Sequence, residues 1–153
     1  MGKKILFVCT GNTCRSSMAE ALAKALAEEK NLGGYTFLSA GTMAWTGEKA
    51  SQQAVEVLGE QGIELSQHRA MLLTPELVTE ADLILTMTEN HRQQIIRQAP
   101  ESQGKVFTLG DYVGENGDVS DPFGSPVETY RRCAGELKNL ISKALDKLSK
   151  DSL

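Results

Sequence analysis

Apolar residues along this chain follow two alternating periods. Ile5-Leu6-Phe7-Val8 is an unbroken apolar run, short enough for a strand buried on both faces. Met18, Ala21, Leu22, Ala25 and Leu26 then recur at three- and four-residue steps, the spacing of one helix face. Continued along the chain, the alternation predicts strands over 4–8, 35–40, 82–87 and 105–109. Helical patterns fill 17–30, 50–61 and 88–98 between them. Thr74-Pro75 reads as an N-cap with proline at the first helical position. A last helix begins at Ser125-Pro126-Val127-Glu128, a capping box with proline just inside it. Its apolar stripe is Val127, Tyr130, Ala134, Leu137, Ile141, Ala144, Leu145 and Leu148. Strands separated by helices imply parallel, right-handed βαβ units. The expected fold is therefore α/β, a three-layer sandwich with a four-stranded parallel sheet flanked by helices. No repeat, low-complexity tract or linker interrupts the pattern, so residues 1–153 read as one domain.

Between the first strand and the first helix stands Cys9-Thr10-Gly11-Asn12-Thr13-Cys14-Arg15-Ser16. A loop joining a strand's carboxyl end to a helix's amino end lies where open α/β sheets bind ligands. Unpaired amides and the helix dipole make that place suited to a phosphate. The C-x5-R spacing puts a thiol and a guanidinium at the two ends of such a loop. A thiol there is favoured as thiolate, the nucleophilic form. Gly11 permits a positive φ and close backbone approach, and Asn12 tolerates the left-handed region and can brace a tight loop. Successive amides then form an anion-binding concavity. Arg15 offers a planar fork for two phosphoryl oxygens, and Ser16 can donate to the Cys9 sulfur. Ser17 and Glu20 read as a capping box for the helix. The plainer reading makes Cys9 a small buried hydrophobe and Arg15 a surface charge. A cation at a helix amino end opposes the macrodipole, however, unless an anion offsets it.

Asp121-Pro122-Phe123-Gly124 is the second chemical feature. Pro122 holds Asp121 extended and Gly124 permits a turn, which fixes a carboxyl group in place. Alone, Asp-Pro is a common turn. Phosphoryl transfer needs a proton delivered to the leaving group, and beside a cysteine loop a functional reading of this turn outweighs the plain one.

These segments, with Met18-Ala19-Glu20 and Ser39-Ala40-Gly41-Thr42, resemble the low-molecular-weight protein tyrosine phosphatase family from Lys3 to roughly Leu148. Thr13 together with Asp-Pro-Phe-Gly is most similar to its bacterial protein arginine phosphatases. The resemblance implies a phosphatase loop after the first strand, built from Thr10, Gly11, Asn12, Thr13, Cys14 and Ser16. It implies Cys9 as nucleophile forming a phosphocysteine, Arg15 as phosphoryl binder and Asp121 as general acid. It also implies substrate walls at Thr13, Trp45 and Phe123, and a hydrogen-bond network joining Asn12, Ser39 and His68. Tyrosine phosphatases of the family usually carry an aliphatic residue where Thr13 stands and often a tyrosine where Phe123 stands. Both differences point toward phosphoarginine, with phosphotyrosine as the alternative substrate. Phosphorylated proteins are the implied substrates and inorganic phosphate the product.

Cys14 lies near Cys9 in any compact loop, where it either traps Cys9 as a disulfide under oxidant or merely fills space. Cys133, Met18 and Met87 read as packing residues. An arsenate reductase of the same fold needs further resolving cysteines, and none occurs between Ala50 and Pro100. A silent phosphoprotein-binding module would have little use for Cys9 and Asp121 together. His68 and His91 lack ligand spacing, so neither a metal nor another cofactor is expected. The net charge of -4 argues against nucleic acid and anionic membranes. An odd cysteine count and the lack of a long apolar stretch point to a cytoplasmic protein. The pattern leaves oligomeric state open, a monomer being compatible with it.

Overall fold

The first strand decides how the layers form, because its side chains alternate between two cores. In the computed structural model, which describes residues 2–151, β1 (Lys3–Cys9) runs inside a four-stranded parallel sheet of order β2-β1-β3-β4. Its companions are β2 (Tyr35–Gly41), β3 (Leu83–Thr86) and β4 (Val106–Thr108). Ile5 and Phe7 pack with Met18 and Leu22 of α1 (Arg15–Glu29), Leu58 of α2 (Gln52–Gly59), and Leu137 and Ile141 of α6 (Val127–Asp151). Leu6 and Val8 face the other way, onto Val78 of α3 (Pro75–Glu80) and Ile95 of α4 (Glu89–Gln98). A period-two element flanked on both sides must be apolar at every position, which is why the run is unbroken. The expected three-layer sandwich is the fold.

Strand order also locates a crevice. The chain leaves β1 toward β2 on one side and later reaches β3 on the other, so the connections diverge beyond the carboxyl ends of β1 and β3. Such a switch point is where open sheets leave room for a ligand.

Local chemistry explains where the elements depart from expectation. The fourth strand is shorter than 105–109, since Lys105 closes a 3-10 turn (Pro100–Lys105) and Thr108 caps α5 (Leu109–Tyr112) by accepting from the Asp111 amide at 3.1 Å. Ser51, Thr74 and Thr88 likewise cap α2, α3 and α4. The Ser17–Glu20 capping box does not form. The helix starts two residues earlier, at Arg15; Ser17 Oγ donates to the Cys14 carbonyl at 2.9 Å, and Glu20 accepts from Ser39. No side chain caps α1, so its first amides stay open toward the crevice. Among the described residues no helix is long and apolar enough to cross a membrane.

Candidate active site

Between β1 and α1 the chain turns back on itself, and Asn12 makes the turn. It takes the left-handed φ of 59°, while Gly11, the residue expected to need positive φ, does not. Left-handed backbone costs a residue with a Cβ roughly 1 kcal/mol. Three contacts of about 1 kcal/mol each outweigh it: Asn12 Nδ2 donates to Ser16 Oγ at 2.8 Å, its Oδ1 accepts from the Met71 amide at 2.9 Å, and its carbonyl lies 2.7 Å from His68 Nε2. The end of β2 closes the loop from behind. Thr42 and Met43 amides donate to the Cys9 and Thr10 carbonyls, both at 2.9 Å. Gly41 fits so closely that a Cβ would sit 2.4 Å from the Thr10 carbonyl oxygen, a contact no side chain tolerates.

Cys9, 2% exposed, lies in the crook of this turn. The Asn12 amide donates to its sulfur at 3.3 Å, and Ser16 Oγ is 2.9 Å away. Because Asn12 donates into Ser16 Oγ, the serine keeps its own hydrogen, and sulfur is a nearer acceptor than the Ala40 carbonyl at 3.4 Å. Two donors thus face the sulfur. Among the described residues, the amides of Thr13, Cys14, Arg15 and Ser16 meet no protein acceptor. A run of unpaired amides at one loop is what an anion-binding concavity needs.

Arg15 is 4% exposed, and one arm of its fork is held by the Val119 carbonyl, to which Nη1 donates at 2.8 Å. The other arm, Nη2, stands 3.6 Å from Asp121 Oδ2. Asp121 lies in an Asx-type turn, its Oδ1 accepting from the Phe123 amide at 3.1 Å, with Gly124 at φ 79° completing the bend. Residues far apart in sequence therefore line one cleft of about 360 Å³: the buried Cys9 and Arg15, with the half-buried Thr13 and with Asp121, Trp45 and Phe123 around them. Trp45 and Phe123 are 80% and 73% exposed, which leaves their rings free to cover a ligand at the mouth.

One other placement differs from expectation. Ser39 does not join Asn12 and His68; its hydroxyl donates to Glu20 Oε1 at 2.5 Å. Glu20 faces β2 because α1 begins at Arg15, and it takes the hydroxyl before the loop can. Cys14 turns its sulfur to Tyr130 Oη at 3.2 Å and Ser51 Oγ at 3.7 Å, and all three cysteines are free thiols. Burial, then the Cys14 contact, pushes the Tyr130 phenol up to about 12, so it remains a donor. Burial likewise raises the Cys133 thiol to about 12, consistent with a packing role.

Sequence reasoning missed Glu48, which also lines the cleft, and His91. The Thr46-Gly47-Glu48 turn carried no chemical pattern. Its loop is placed by long-range bonds, Gly47 N to the Ala70 carbonyl at 2.8 Å and Ala70 N to the Glu48 carbonyl at 2.7 Å. His91 is 3% exposed, yet its Nε2 reaches Thr10 Oγ1 at 2.9 Å across 81 residues of sequence. Among the described residues no cluster of His, Cys, Asp and Glu is disposed to hold a metal ion.

Residues 4–153 match the family model for low molecular weight phosphotyrosine protein phosphatase. The chain is 46% identical to a protein-arginine-phosphatase of Geobacillus stearothermophilus, covering 97% of both chains. It is 47% identical to a protein-arginine-phosphatase of Bacillus subtilis (strain 168), covering 96% of this chain and 97% of that one. A structure of the arginine phosphatase YwlE, a mutant with a phosphorylated active-site serine, superposes with a TM-score of 0.93 at 46% identity over 97% of each chain.

Proposed function

The chain belongs to the low molecular weight phosphotyrosine protein phosphatase family, and we propose that it removes phosphate from phosphoarginine in proteins. The observation that carries this reading is a cleft floored by Cys9 whose lip bears the Thr13 hydroxyl rather than an aliphatic side chain. A phenyl ring gains from apolar packing at that position, whereas a guanidinium gains from a polar neighbour. Asp121 and Glu48 further supply the cleft with two carboxylates to face a cationic leaving group. Near-full-length relatives named as arginine phosphatases support the same assignment.

The chemistry proceeds in two balanced steps. Cys9 thiolate attacks phosphorus, forming the S–P bond as the P–N bond breaks, and Asp121 gives its proton to the departing guanidino nitrogen. The loop amides and Arg15 stabilise the charge on the equatorial oxygens. Water then attacks the phosphocysteine, passing a proton to the Asp121 carboxylate as the S–P bond breaks and inorganic phosphate leaves. The fixed donors provide positive potential at the phosphoryl group throughout.

Parallel kinetics on phosphoarginine and phosphotyrosine peptides test the proposal. The expected result is a higher kcat/KM for phosphoarginine, abolished by Cys9→Ser; a preference for phosphotyrosine would overturn the substrate assignment. Phosphate binding without turnover on either peptide would instead indicate a docking module.

A further inference from the structure

His91 lies on α4, outside the loop, the acid turn and the cleft walls, yet both its ring nitrogens are committed. Nδ1 is 2.9 Å from Thr88 Oγ1, and Nε2 is 2.9 Å from Thr10 Oγ1. Thr88 Oγ1 already accepts the His91 amide as helix cap, at 3.2 Å. Its single hydrogen is then free for Nδ1; with Nδ1 assigned as the acceptor, the ring proton sits on Nε2. That proton goes to Thr10 Oγ1. Having accepted it, Thr10 keeps its own hydroxyl hydrogen, and Thr10 is an exposed residue lining the cleft beside Cys9. No other protein partner for this hydroxyl occurs among the described residues.

We propose that His91 is a positioning residue acting through Thr10, aiming the Thr10 hydroxyl at a bound phosphoryl oxygen as a side-chain donor added to the loop amides. Donation runs in one direction, from Thr88 to His91 to Thr10 to the phosphoryl oxygen. The ring enters as a neutral group: burial first, and then the charge of Arg15, lowers its pKa to about 4, against weaker opposing effects of Asp118 and Asp121. A neutral relay has a use beside Arg15. It orders a donor toward the anion without adding a second full charge that would hold product phosphate as firmly as substrate.

The proposal rests on the reading that a phosphoryl group occupies the loop, but not on which side chain carries it. The probes are therefore inorganic phosphate, read by calorimetric affinity, and an aryl phosphate, read by turnover. A hydrogen bond to a charged oxygen corresponds to a factor of roughly ten or more. Thr10→Val is expected to lower phosphate affinity and aryl-phosphate kcat/KM about tenfold, and Thr10→Ser to restore both to within about twofold. His91→Phe should match Thr10→Val, and the double variant should be no worse than Thr10→Val alone, because residues acting in series do not add. His91→Gln, which keeps an N–H donor, should retain most of the affinity. Wild-type phosphate affinity in Thr10→Val, or losses that multiply in the double variant, would overturn the proposal. If His91→Phe does not fold, His91→Gln read beside the Thr10→Val and Thr10→Ser pair decides it: retained affinity in His91→Gln with loss in Thr10→Val supports it, and loss in His91→Gln as large as in Thr10→Val overturns it. Wild-type protein that turns over aryl phosphate but not phosphoarginine would sink the substrate assignment and leave this test intact.

Discussion

Arg15 and Asp121 face each other across the cleft, Nη2 to Oδ2 at 3.6 Å, as an ion pair between a buried guanidinium and a half-exposed carboxylate. The pair joins the residue assigned to the phosphoryl oxygens with the residue assigned to the leaving group. An arriving phosphoryl dianion competes with the carboxylate for the same arm of Arg15. Asp121→Asn should therefore separate binding from chemistry. We expect kcat on phosphoarginine to fall by about 10² to 10⁴, the usual worth of a positioned general acid. Affinity for inorganic phosphate should hold or rise, since a negative charge has left the cleft. Rapid-quench kinetics together with calorimetry would check both halves; equal losses in each would mean that Asp121 only supports the loop.

Thr13 is the lever on substrate choice. Thr13→Ile restores the aliphatic surface of the family's tyrosine phosphatases at a lip already flanked by Trp45 and Phe123. The ratio of kcat/KM for phosphotyrosine over phosphoarginine should rise by about tenfold or more, the usual worth of one or two buried methyl or methylene groups. Measurement of both substrates on one enzyme batch is enough, and an unchanged ratio would count against the assignment.

The acid limb of the stability curve should carry the signature of His91. Its pKa is lowered to about 4 in the folded state, chiefly by burial, against an unfolded value near 6.5. From pH 6.5 down to about 4 the unfolded chain takes up a proton that the folded chain refuses, so stability falls with pH across that window and levels off below it. The shift corresponds to a loss of about 3 kcal/mol at most. Urea titrations at intervals of pH should show this slope in the wild type and its flattening in His91→Gln.

Peroxide treatment tests Cys14. Oxidation of Cys9 to the sulfenic acid, with water leaving as Cys14 sulfur attacks, would give a bridge and shield Cys9 from the irreversible acids. In the structure Cys14 faces Tyr130 and Ser51, so bridge formation requires a rotation away from those partners. Peptide mass spectrometry should find a Cys9–Cys14 disulfide after mild peroxide. A sulfonic acid on Cys9 with Cys14 unmodified would reduce Cys14 to a loop-packing role.

How far such features can be read in advance depends on how local their causes are. The strands, the long final helix and the Thr74-Pro75 start are local in origin, set by period and, at Thr74, by capping, and the fold carries them; the Ser125–Glu128 box does not form, because Glu128 pairs with Arg131 instead. The Ser17–Glu20 box is also a local pattern, but it loses to tertiary demand: Ser39 takes Glu20, and the anion loop keeps the first amides of α1 free. Strand bounds shift for a similar reason, since Thr108 is more useful as a cap than as the middle of a strand. Cys9, Asn12, Arg15 and Asp121 stand out because a short loop concentrates unusual residue types. His91, Glu48 and Gly41 do not, because each matters only through a partner dozens of residues away. A histidine after a capped turn looks like many others until Thr10 is placed above it.

The close seat of Gly41 against Thr10, with Asn12 pinned on three sides, means that the receptor for the anion is assembled before anything arrives. Little ordering remains to be done on entry, and the same bowl that receives a phosphoryl still attached to protein also fits one already cut loose. Free orthophosphate should therefore compete with substrate for that bowl, and turnover is expected to slow as product accumulates.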